Sequence, residues 1–261
     1  MREWIGGRAP KTLREINFSV ANKDFESTLE IPTDWLRRDK TGLIRMRIAQ
    51  LVEAAGAHNA ELLSTLIDNA GSALCYDGQY FFDTDHAEGD SGTQSNLLSV
   101  DINTTTAPTV AEMEGAILTL TQGLLTLKDD QGRPTNASAK KFTIMVPIPF
   151  MKSAAGALGT SVIIESGASR NNLIPAMGSI GGFSYDIVVN PRLTWTTKFA
   201  MFRSDATLKP FVKQIEVETE VSSLAEGSEE EFKNKRHLYG VNRTMNFGLN
   251  DWKGAIMASF T

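Results

Sequence analysis

Residues 15–31, EINFSVANKDFESTLEI, alternate apolar and polar side chains with a period of two. Ile16, Phe18 and Val20 point one way, and Phe25, Leu29 and Ile31 continue a similar pattern beyond Asn22-Lys23. This reads as a long β-hairpin turning near Asn22. A two-stranded hairpin is marginal in water, so its apolar row needs a surface to lie on. No stretch adjacent in sequence clearly supplies one, which brings in a neighbouring subunit as the cover.

Beyond the hairpin the pattern turns helical. Ile44, Ile48, Leu51, Val52, Ala55, Leu62, Leu63, Leu66 and Ile67 keep helical spacing between Gly42 and Gly71, with an irregularity expected at 56–59. A polar stretch, AEGDSGTQSNLLSVDINTTTAP, reads as a loop. Thr109-Val110-Ala111-Glu112 fits a capping box: the Thr hydroxyl accepts from a first-turn amide while Glu112 reaches back. The helix it opens carries Met113, Ile117, Leu120, Leu124 and Leu127 on one side and runs to about Lys128.

DDQGRP is a turn, FTIMV (142–146) a short buried strand ended by prolines, and MKSAAGAL a short helix. Strands are expected at 185–189, 199–202 and 211–221. The last segment, FKNKRHLYGVNRTMNFGLNDWKGAIMASF, reads as strands with tight bends at its glycines. Strands and helices in no βαβα rhythm define an α+β fold. The acidic run Glu226–Glu231 reads as a solvated loop or helix start.

Composition removes several classes. A net charge of −5 argues against a protein whose affinity comes from neutralising nucleic-acid phosphates. A single cysteine, Cys75, allows no internal disulfide and no CxxC zinc site, which fits synthesis in a reducing cytoplasm. No apolar run reaches membrane-spanning length, and MREWIGGRAPK has no signal-peptide core.

The segment that most resembles chemistry is CYDGQYFFDTDH, residues 75–86. Asp83, Asp85 and His86 could ligate a metal or do acid-base work. In a strand, however, Asp83 and Asp85 share one face and His86 takes the other. No HExxH and no second close histidine supports them. The simpler reading makes Tyr80, Phe81 and Phe82 a buried strand reached through the Asp77-Gly78 turn, with Asp83, Thr84 and Asp85 satisfying backbone donors where it ends. Cys75 reads as a buried thiol; a Cys75–His86 hydrolase is the weaker alternative. GxSxG is absent, and Gly178-Ser179-Ile180-Gly181-Gly182 lacks the lysine of a phosphate-binding loop and reads as a flexible turn. No catalytic, cofactor or metal residue is assigned, and the expectation is no enzyme.

The order of REWIGGR, the hairpin INFSVANKDFESTLEI, a long helix, CYDGQYFFDTDH, a helix leading to DDQGRP, FTIMVPIPF and HLYGVNRTMNFGLNDWKGAIMAS resembles the major head proteins of Mu-like tailed phages and prophages. The resemblance runs over nearly the whole chain, with DGQYFFDTDH and YGVNR…G…W its most specific parts. It implies the Hong Kong 97-type capsid fold. Mapped by order, residues 1–11 are a remnant of the N-terminal arm and the start of the E-loop, and 12–33 form the E-loop hairpin. Residues 34–139 make a peripheral domain with its spine helix at about 42–71, 140–205 an axial domain, and 206–261 the return to the peripheral domain. Members of the family carry a longer segment ahead of REWIG than this chain does.

In the family the E-loop lies over a neighbouring subunit, which supplies the missing cover for Phe18, Val20, Phe25 and Leu29. The residues Tyr80, Phe81, Phe82, Asp83, Asp85 and His86 become fold-marking rather than catalytic. The implied function is a major capsid protein that self-assembles through hexamers and pentamers into an icosahedral shell around double-stranded DNA. It is made in the bacterial cytoplasm and resident in the virion, with scaffold or protease, portal and decoration proteins as further partners and no membrane. An encapsulin-like compartment shell is the rival use of the same fold. A maturation cross-link between side chains such as Lys23 and Asn246 is conceivable and has little to support it.

Overall fold

A computed structural model describes residues 19–39, 42–165 and 167–261. The remnant arm and the first arm of the hairpin up to Phe18 therefore lie outside the described residues. The elements in chain order are β1 (Lys23–Pro32), α1 (Thr33–Arg38), α2 (Leu43–Asp68), β2 (His86–Ala87), β3 (Thr93–Gln94), β4 (Leu97–Val100) and α3 (Val110–Thr126). Then come β5 (Lys141–Val146), α4 (Met151–Gly159), β6 (Val162–Glu165), β7 (Ala168–Asn171), α5 (Leu173–Gly181), β8 (Ser184–Val189) and β9 (Lys198–Arg203). The chain closes with β10 (Phe211–Leu224), α6 (Glu229–Asn234), β11 (Arg236–Leu249) and β12 (Ala255–Phe260). The mixture is α+β, as the element pattern implies.

A five-stranded mixed sheet, in the order β4-β12-β9-β5-β8, forms one half. Period two sends alternate side chains of its central strands to opposite faces. On one face Phe199 and Met201 of β9 and Ile256 and Ala258 of β12 pack with Met113, Ile117, Leu120 and Leu124 of α3. On the other, Ala200, Phe202, Ala255 and Met257 join Phe81, Phe82, Trp252 and Ile67 in a second core. A strand covered on both sides needs no polar face, and in KFAMFR every residue after Lys198 is buried. The capping box forms as the sequence predicts: Thr109 Oγ1 accepts from the Glu112 amide at 3.2 Å, and Glu112 accepts from the Thr109 amide at 2.8 Å.

The other half is a three-stranded antiparallel sheet, β1-β11-β10, with β11 in the middle. The second arm of the expected hairpin thus pairs with the C-terminal part of the chain, Phe25 opposite Arg243 and Leu29 opposite Tyr239. Helix α2 crosses one face of this sheet. Asp39 caps it by accepting from the amides of Gly42, Leu43 and Ile44 at 2.9–3.2 Å, and Gly42 takes the left-handed conformation that the turn into the helix requires. The helix continues without a break through Gly56–Asn59, where the sequence pattern predicts an irregularity.

Several local expectations are corrected. Phe81 and Phe82 are fully buried but lie in an irregular segment, because their amides bond to the Ala73 and Ala70 carbonyls rather than to a strand. The polar stretch after them contains β4, which pairs parallel with β12. Gly178–Gly181 complete α5, and Gly182 is its left-handed cap instead of part of a loose turn. Arg236–Leu249 is one strand of 14 residues, with Trp252–Gly254 a single 3-10 turn after it. No helix of the described residues is long and apolar enough to cross a membrane.

Candidate assembly surface

The CYDGQYFFDTDH segment is held by its own polar groups. Gly78, at φ +87°, lets the chain reverse so that the Cys75 amide reaches the Gln79 carbonyl at 2.7 Å. Asp83 accepts from the Tyr80 and Thr84 amides at 3.3 and 2.7 Å, the backbone-satisfying role expected of it. Asp85 differs: it is exposed and, among the described residues, its carboxylate meets the Gln79 side-chain amide at 3.4 Å rather than a backbone donor. His86 is fully buried and stacked on Trp252 with ring centroids 3.9 Å apart.

His86 Nδ1 lies 2.6 Å from Asp77 Oδ2. Burial works to raise the Asp77 carboxyl, yet the bond and charge of His86 and the Gln79 amide outweigh it and hold the group below its ordinary value. An ionised carboxylate only accepts, so Nδ1 is the donor. Beside this pair, Lys253 Nζ reaches the Tyr76 hydroxyl at 2.5 Å and Glu88 at 2.9 Å. Burial and the adjacent Glu88 push the Tyr76 phenol well above its usual range. These bonds tie residues 76–88 to the turn at 251–254.

The hydrolase arrangement does not form. Burial pushes the Cys75 thiol up to about 12, and its partner is the Asn250 carbonyl at 3.5 Å rather than an imidazole. Among the described residues no group of three or more His, Cys, Asp and Glu side chains could hold a metal. Sequence reasoning missed Asn96, whose buried amide donates to the Phe81 carbonyl at 2.8 Å and accepts from the Asp83 amide at 2.9 Å. An Asn in a polar stretch carries no signal of this, because its partners are 13 and 15 residues away.

The unusual features are on the outside. Over 26 residues α2 buries only Ser64 and Ile67. Leu43, Met46 and Val52 stand exposed on it, with Trp35 of α1 before them. Strand β10 has no fully buried residue, and Val221 is 65% exposed. Elsewhere, Ile164 of β6 and Ile180 of α5 are 77% and 88% exposed. Single exposed aliphatics are normal, but exposed apolar side chains on five elements mark candidate contact surfaces.

Of the hairpin residues, Phe25 is half-buried, its ring edge-on to His58 of α2 at 4.5 Å. Phe25, Leu51, Ala55, His58 and Arg243 line an open groove of about 250 Å³. Leu29 is half-buried, and Val20, also half-buried, lines a second groove with Leu66, Leu74 and Phe247. Arg243 is buried and donates to Asn59 Oδ1 at 3.1 Å and to His58 Nδ1. Since guanidinium only donates, His58 Nδ1 carries no proton.

Solved structures similar to this chain include phage capsid proteins. The procapsid of bacteriophage JBD30 aligns over 99% of this chain and 59% of its own, with a TM-score of 0.52 and 21% identity. The capsid of Myoviridae phage XM1 aligns over 92% of this chain and 74% of its own, with a TM-score of 0.54 and 11% identity. The chain has the Hong Kong 97-type capsid fold. The holo-SrpI encapsulin complex from Synechococcus elongatus PCC 7942 shares it, covering 91% of this chain and 73% of its own at a TM-score of 0.50 and 9% identity.

In sequence, residues 1–110 of this capsid-fold chain match the family model for the Mu-like prophage major head subunit gpT. The Mu-like prophage FluMu major head subunit of Haemophilus influenzae is 35% identical over 100 residues, 38% of this chain and 32% of that protein. The major capsid protein of Escherichia phage Mu is 30% identical over 108 residues, 39% of this chain and 35% of that protein. The chain thus spans about a third of the length of the curated relatives it matches. The match takes in DGQYFFDTDH, whereas HLYGVNRTMNFGLNDWKGAIMAS lies beyond residue 110.

Proposed function

We propose that this chain is the major capsid subunit of a Mu-like phage or prophage, assembling with copies of itself into an icosahedral shell around double-stranded DNA. The observation that carries the reading is the capsid fold across almost the entire chain, with the N-terminal match to Mu-like head subunits naming the kind. The mechanism is geometric: many modest contacts between identical subunits, closed by symmetry. Apolar groups left open on α2, β10 and α5 are the surfaces such contacts need.

In this reading α2 is the spine helix, and residues 19–33 are the described part of the E-loop, with Val20, Leu29 and the part of Phe25 left open beside His58 of the same chain covered by the neighbouring copy. We assign the division into peripheral (34–139 and 206–261) and axial (140–205) parts on the same basis. The five-stranded sheet then bridges the two parts, since it joins β4 and β12 to β5, β8 and β9. Synthesis in the bacterial cytoplasm, residence in the virion, and scaffold, protease, portal and decoration partners belong to the same proposal.

Negative-stain imaging and sedimentation of the purified chain test it. Shells, rings or tubes are the expected outcome, and a monomer at all concentrations overturns it. An encapsulin-like shell is the second reading, favoured by the SrpI likeness alone. Nucleic acid within the particles supports the head protein; a protein cargo without nucleic acid supports the compartment.

A further inference from the structure

The face of the β1-β11-β10 sheet turned away from α2 carries two acidic rails. Glu26 on β1 and Glu220 on β10 stand opposite the same residue of the middle strand, Asn242. One row further along, Asp24 stands opposite Thr244, whose β10 partner, Val217, directly follows Glu216. Side-chain bonds place three of these groups on one face, and the pairing with Asn242 adds Glu220: Thr244 Oγ1 donates to Asp24 at 2.6 Å, Thr28 Oγ1 to Glu26 at 3.0 Å and Asn22 Nδ2 to Glu216 at 3.0 Å. Asp24, Glu26, Glu216 and Glu220 are exposed, and the ion pair this face makes among the described residues joins Arg236 to Glu30 at its end.

The start of α2 has the opposite character. Arg45 and Arg47 are exposed on either side of Met46, with Arg37 and Arg38 just before them at the end of α1; the Asp39 carboxylate caps the helix, and no acidic residue follows it in the first turn. Arg47 bonds to the neutral Gln50 at 3.2 Å. Cations at a helix N-terminus meet the positive end of the macrodipole, so the helix itself gains nothing from them. Like charges gathered on a sheet face are equally unfavourable to the sheet. The two surfaces are opposite in charge, so contact between them offsets like-charge crowding on both. Strand spacing sets the two rails about 10 Å apart, roughly the diameter of a helix with its side chains.

We propose that the arginine-bearing start of α2 in one copy docks on the acidic sheet face of the next copy, with Leu43 and Met46 covered in the same contact. This rests on the proposed shell function and names one of its contacts. Run head to tail, as the proposed shell requires, the contact is heterologous and repeats around a ring, whereas its reciprocal form about a two-fold axis would stop at a dimer.

Charge exchange in the full chain tests it, with particle yield read by sedimentation and imaging. Arg45→Glu/Arg47→Glu and Glu26→Arg/Glu220→Arg should each lower yield by about ten-fold or more, and the four changes together should restore it. The neutral Arg45→Ala/Arg47→Ala should give a smaller loss with an unchanged subunit melt, which separates contact from folding. If the unaltered chain forms no shells, rings or tubes, the shell reading itself fails. If it assembles and either reversal assembles equally well, or the combined variant does not recover, this contact is wrong while the shell reading stands. Unchanged yield with less retained nucleic acid in the arginine variants assigns those side chains to the genome and overturns the proposal.

Discussion

The two sheets of this subunit solve opposite problems. In the five-stranded sheet, β9 is buried on both faces, helices cover one side, and Phe81, Phe82 and Trp252 seal the other. In the three-stranded sheet, β10 runs 14 residues without one fully buried side chain, and α2 offers only Ser64 and Ile67 to the interior. Burial of apolar surface, at roughly 25 cal/mol per Å², is the main force holding the first region together within a single chain. The second leaves comparable side chains in water and, among the described residues, long strand edges unpaired, an arrangement that a soluble monomer avoids. Under the proposed shell function, the difference separates what makes the subunit fold from what makes subunits meet.

If that division is right, substitutions in the two regions should separate stability from assembly. The largest loss of stability is expected for Trp252→Ala, which empties the centre of the second core and removes the ring on which His86 stacks. It should cost about 3–5 kcal/mol, measured by urea denaturation of the unassembled subunit. A loss under about 1 kcal/mol would show that this core does not hold the subunit together.

A smaller effect is expected at Asp77. Its folded pKa is depressed, so its contribution is present above the unfolded value near 3.8 and is lost as pH falls through the lower folded value. Asp77→Asn should remove about 1–3 kcal/mol at pH 7 and flatten the stability profile below about pH 4, since the buried His86 loses its charged partner. His86→Gln should destabilise as well, because a fully buried stacked ring is not a neutral position. A pH profile parallel to that of the unaltered subunit would remove the His86–Asp77 bond from the stability of this segment.

The smallest change in stability is expected for Val221→Asp with Leu224→Asp on exposed β10. The subunit melt should move by no more than about 0.5 kcal/mol, while particle yield collapses because charge enters an apolar contact. A melt that falls with the yield would place these residues in the subunit's own core. A yield that does not move would make β10 a free edge.

Much of the local structure is legible in the residues themselves. The capping box at Thr109, the apolar spacing along α3, the strand FTIMV and the span of α2 each rest on residues within one or two turns of one another. The candidate site is legible only as composition. Cys75, His86 and three aspartates crowd into twelve residues, yet the partner of His86 is Asp77, its stacking surface is Trp252, and Cys75 bonds to Asn250. Two of these three partners come from the far end of the chain. The strand β4 gives no local signal because LLSV is short and set among polar residues, and it becomes a strand by pairing with β12.

From the sequence alone, periodicity and capping determine where helices and strands form, since those signals arise from backbone and neighbour energetics within a few residues. Alternation along β1 likewise determines that Phe25 and Leu29 share a face. Which surface meets that face was decided only in three dimensions. The strand lies against β11, more than two hundred residues later, and Phe25 comes to rest on His58 of α2. Pairing at such separation depends on the whole chain closing around both cores, and no local pattern in EINFSVANKDFESTLEI carries that information.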